Sequence, residues 1–86
     1  VKHAGAAALD PLEPLLREIR PLPGLTERSR GVFYLKSRAF LHFHEDPAGL
    51  FGDMRDAAGV DFDRYDVTSP PGRAQLLEAV RRRLSA

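Results

Sequence analysis

The chain has 86 residues, a formal net charge of +1 from 13 basic and 12 acidic side chains, and no cysteine. That length suits one domain burying about 60–65% of its unfolded surface, with little room for a deep cavity beside the core. The even charge excludes a general electrostatic pull toward nucleic acid or membrane, and the missing cysteine excludes disulfides and thiolate metal sites.

Hydrophobic content of 43% and charged content of 29% are those of a globular chain. No apolar run approaches the roughly 20 residues of a membrane span, and the opening VKHAGAAALD lacks the apolar stretch of a signal peptide. The expectation is a cytoplasmic protein held together by core packing alone.

Residues 1–8 of this single domain, 1–86, read as a frayed lead-in, because Gly5 and the terminal position oppose order. A helix is expected over 10–20. Asp10 suits its N-cap, Pro11 its first position, and Glu13 completes a capping-box spacing. Leu12, Leu15, Leu16 and Ile19 then form one apolar stripe, and Pro21 stops the helix. The polar segment Thr26–Arg30 reads as a short helical turn or plain loop.

Four strands follow. The first covers 32–36 and the second 39–45, joined around Ser37-Arg38 by a short hairpin. A two-residue loop would set Val32 and Tyr34 beside Leu41 and Phe43; a three-residue loop, the favoured reading, sets Phe33 and Leu35 there. Alternation points Leu41 and Phe43 inward and Phe40, His42 and His44 outward. The third strand, 50–55, turns Phe51, Asp53 and Arg55 outward, and the fourth, about 61–67, does the same for Arg64 and Phe62. Ser69 and Pro70 open a closing helix whose stripe is Leu76, Leu77, Val80 and Leu84. The expected architecture is α+β: a four-stranded antiparallel meander with the N- and C-terminal helices packed on one face, in the order α-β-β-β-β-α.

Functional signals gather on the outer face of that sheet. His42 and His44 sit at alternate strand positions about 7 Å apart, a spacing that can chelate a divalent metal. Zinc takes three or four ligands. Asp53 on the neighbouring strand is the natural third; Glu45, Asp46 and His3 are weaker candidates. The same face carries Phe40, Phe51, Arg55 and Arg64, with Tyr34 and Phe62 at its margins, and an aromatic face with no helix over it suggests a contact surface. Arg28, Arg30 and Arg38, with the Arg81–Arg83 run, are the candidates for nucleic-acid contact, although cations in a last helical turn also suit the helix dipole. There is no Gly-x-Ser-x-Gly and no glycine-rich phosphate loop.

The run LPGLTERSRGVFYLKSRAFLHFHEDPAGLFGDMR, followed by DRYDV and an amphipathic helix, resembles a small family of bacterial, chiefly actinobacterial, proteins with no assigned activity; the FLHFHED segment is its most specific part. The helix, the Leu22–Gly24 turn, the short meander and the closing helix are also similar to the YjbR/MmcQ group. That resemblance implies a double-wing, DNA-binding role. The chain is shorter than that group and lacks its basic excess.

The expected function is a non-enzymatic binding domain that uses its outer sheet face, as a homodimer, with no membrane partner and no catalytic residue. A metal site on His42, His44 and Asp53 and nucleic-acid binding are the alternatives, and no other cofactor is implied.

Overall fold

The computed structural model describes residues 2–85. The elements are β1 (Lys2–His3), α1 (Ala6–Leu9), a 3-10 turn (Asp10–Leu12), α2 (Glu13–Ile19), β2 (Leu25–Ser29), β3 (Val32–Leu35), β4 (Arg38–Asp46), β5 (Gly49–Arg55), β6 (Phe62–Asp66) and α3 (Pro70–Ser85). It is an α+β fold on an antiparallel sheet, and no described helix is long and apolar enough to cross a membrane.

The sheet is larger than four strands. Its order is β2-β3-β4-β5-β6, with β1 added to β4. β4 is long enough to serve two partners along one edge: β3 pairs with residues 38–41, and β1 pairs Lys2 with Glu45 and His3 with His44. Two expectations are corrected here. Residues 1–8 are not a frayed lead-in, because β1 and α1 take up the described part of it; Val1 lies outside the described residues. Thr26–Arg30 is not a helical turn or loop: Leu25–Ser29 forms β2 against β3. Its polar composition hid it, since an outermost strand needs few apolar side chains.

The first helix also begins early. Gly5 stands at its N-cap, and Asp10 lies inside it with helical dihedrals. Pro11 and Pro14 lack the N–H groups that would reach Ala7 and Asp10, so the chain tightens there into the 3-10 turn before α2 resumes. The expected stripe survives. Leu12, Leu15, Leu16 and Ile19 are buried, and with Leu76, Leu77 and Val80 of α3 they form one core with Phe33, Leu41, Phe43 and Met54 of the sheet.

The β3–β4 hairpin decides which side chains reach that core. Its loop has two residues, Lys36 and Ser37, both at positive φ (52° and 67°). Such a loop alone would turn Val32 and Tyr34 inward. A bulge reverses this: Leu35 opposes Arg38 and Tyr34 opposes Ala39, but Phe33 opposes Leu41, leaving Phe40 as the extra residue. Phe33, Phe40 and Leu41 are all buried. Phe33 therefore joins Leu41 as expected, through a different loop. Phe40 does not lie on the outer face; the bulge turns two successive side chains into the core.

Candidate metal centre

Beyond the bulge, alternation holds. Leu41 and Phe43 point inward, and His42 and His44 stand half-buried on the other face. Opposite them on β5 lie Asp53 and Phe51, paired respectively with His42 and His44. On the far side, β1 sets His3 directly across from His44, and the Ala4 N–H donates to the Phe43 carbonyl at 3.0 Å to anchor it.

This pairing brings three imidazoles together. Ring centroids are 4.8 Å apart for His42–His44 and His3–His44 and 5.4 Å for His3–His42. One ligand atom from each lies within 4.8 Å of the other two. His3 is exposed, whereas His42 and His44 are half-buried. Phe62 closes one side, its ring 4.9 Å from that of His42.

Asp53 stands beside the trio. Arg64 on β6 grips it with two hydrogen bonds, Nε to Oδ1 at 2.9 Å and Nη2 to Oδ2 at 2.8 Å. Its carboxyl is held below the usual range, first by those bonds. The His44 Nδ1 lies 2.8 Å from Asp53 Oδ2, but off the line of an N–H bond, so the Nδ1 atoms of His42 and His44 are both buried without a hydrogen-bond partner. The contact is a close electrostatic approach rather than an aligned hydrogen bond. His42 is shifted downward, first by burial and then by the neighbouring His44, against the pull of Asp53. Burial thus favours the neutral imidazole, the form that binds metals.

The other expected site residues divide. Glu45 accepts the Gly5 N–H and Asp46 the Ala48 N–H, so both serve the backbone. Arg55 donates to the Ala39 and Gly59 carbonyls. The remaining aromatics of this face each lie beneath a guanidinium: Phe51 under Arg64 at 5.2 Å, Phe62 under Arg55 at 4.7 Å and Tyr34 under Arg28 at 4.1 Å. Arg30 is tied to Asp10 and Glu13, and Arg38 donates to the Gly59 carbonyl. Arg81 pairs with Glu18 and Arg82 with Glu78.

His3 is the residue that a strand-by-strand reading undervalues. It stands in the opening segment that Gly5 and the terminal position make read as frayed. No family model matches the chain, and no curated protein or solved structure matches it either.

Proposed function

We propose that the chain is a metal-binding domain that holds one divalent ion of the zinc, cobalt, nickel and copper class on His3, His42 and His44. The reading rests on one observation, the convergence of three imidazoles from two strands within 4.8 Å. An all-imidazole set suits these ions and not the oxygen-seeking magnesium or calcium. Metal–nitrogen bonds of about 2.0–2.1 Å place tetrahedral ligands about 3.4 Å apart, so the cluster must contract by about an ångström on binding. His3, exposed on a two-residue strand, is the ligand free to move. Three protein ligands leave a fourth position for water or an added ligand. Asp53, 2.8 Å from the His44 Nδ1, is then an outer electrostatic partner of that imidazole, not a ligand.

A homodimer through this face draws less support. It loses Phe40 to the core, and cations cover its other aromatics. Nucleic-acid binding draws less again, because Arg30, Arg81 and Arg82 are paired with carboxylates.

The test is calorimetric titration of the untagged chain with zinc and nickel, with thermal unfolding in parallel. One equivalent should bind, and metal at a hundred times its Kd should add about 2.7 kcal/mol of stability. His3→Ala and His44→Ala should each abolish that gain, with the metal-free chain sedimenting as a monomer. Absence of any heat or thermal shift sinks the reading, as does binding that survives His3→Ala undiminished.

A further inference from the structure

Away from the histidines, the β3–β4 turn, the loop after β5 and the last turns of α3 enclose a cleft of about 270 Å³. Four cations line it: Lys36, Arg38, Arg55 and Arg83; no carboxylate does. The guanidiniums are fixed by backbone carbonyls. Arg38 Nη2 donates to Gly59 O at 2.8 Å, Arg55 Nε to Ala39 O at 2.7 Å, and Arg83 Nη2 to Asp56 O at 3.1 Å. A carbonyl holds a guanidinium in place but leaves its charge uncancelled. The nearest carboxylate by sequence, that of Asp56, is turned to the Val60 and Asp61 N–H groups.

Arg20, Arg30 and Arg64, by contrast, each meet a carboxylate. Among the described residues none of the four cleft cations forms a salt bridge, and the Nε of Arg83 is buried without an acceptor. Arg55 and Arg83 are half-buried and Lys36 and Arg38 exposed, and like charges gathered on one cleft repel most where salt is low. An anion seated among them removes that repulsion.

We infer that this cleft binds a small phosphate monoester. Four cations match a dianion better than a single carboxylate, and guanidinium forks fit phosphate oxygens. Leu35 and Phe40 add apolar wall for the organic part. No histidine lines the cleft, and Arg55, whose guanidinium also lies over Phe62 beside His42, is the residue it shares with the histidine face.

The test is a titration of the metal-free chain with inorganic phosphate at low ionic strength, followed by the backbone amide resonances of Ser37, Ala58 and Gly59. Saturable shifts confined to the cleft are expected. Arg38→Gln should raise Kd about tenfold, the loss of one charged hydrogen bond. Arg28→Gln, whose cation lies over Tyr34 outside the cleft, should leave Kd unchanged. Phenyl phosphate should bind more tightly than phosphate, and acetate more weakly. Failure to saturate, equal weakening by both variants, or acetate matching phosphate would each overturn the assignment.

Discussion

Asp53 is almost fully buried, and β5 sets it directly opposite His42 on the histidine face. Its two oxygens are both committed to Arg64, and one also lies against His44. A carboxylate already gripped by a guanidinium is a poor competitor for a metal, but its negative charge beside His44 supports a metal-bound imidazole. Asp53→Asn should therefore weaken zinc binding about 10–100-fold without abolishing it. Calorimetry separates that outcome from the complete loss expected of His44→Ala. Alternation along β4 and β5 was enough to place Asp53 near the histidines. It could not show that Arg64, from the next strand, would claim it.

At the scale of the element, the β3–β4 hairpin carries more of the design than its four-residue strand suggests. Lys36 and Ser37 both occupy the left-handed region, which side chains other than glycine, asparagine and aspartate adopt at a cost. Replacing them together by Asn-Gly, the pair that favours such a turn, should stabilise the chain by about 1 kcal/mol. Urea unfolding measures this directly; a lowered midpoint would mean that Lys36 makes a contact worth more than the turn strain. The bulge next to the turn is equally consequential. Without it, Tyr34 in place of Phe33 would face the core, and Phe40 would lie among the histidines.

For the whole molecule, one ion network joins the first helix to the sheet. Glu13 of α2 meets Arg20 and Arg30, and Arg20 reaches on to Glu27 of β2. The Glu13 carboxyl is lowered to about 2, first by its bond to Arg20 and next by that to Arg30. In Glu27, burial pushes the carboxyl up, but the Arg20 bond and the Gly31 N–H outweigh it. A carboxyl lowered by folding stabilises above its unfolded value and loses that contribution as it is protonated in the fold. Stability should therefore decline as pH falls from about 4.5 toward about 2. Glu13→Gln should flatten that decline, read as the urea midpoint at successive pH values. A wild-type midpoint constant across the window would show that the network does not couple helix to sheet.

The sequence by itself determined the two helical stripes, the four strands β3–β6, and the outward direction of His42 and His44. These follow from local periodicity, which the chain carries in every window of residues. The tertiary structure alone decided the rest. Polar β2 became a strand because β3 offered an open edge. A bulge buried Phe40. Lys2–His3 found the unpaired half of β4 and so completed a trio of imidazoles from a pair. The β1–β4 contact joins residues far apart in sequence and the bulge is a single-residue shift in register, and periodicity is blind to both; β2 lies next to its partner in sequence, but its polar side chains carry no periodic signal. The histidine motif that strand alternation reads as two ligands and a carboxylate is, in the folded sheet, three imidazoles with that carboxylate behind them.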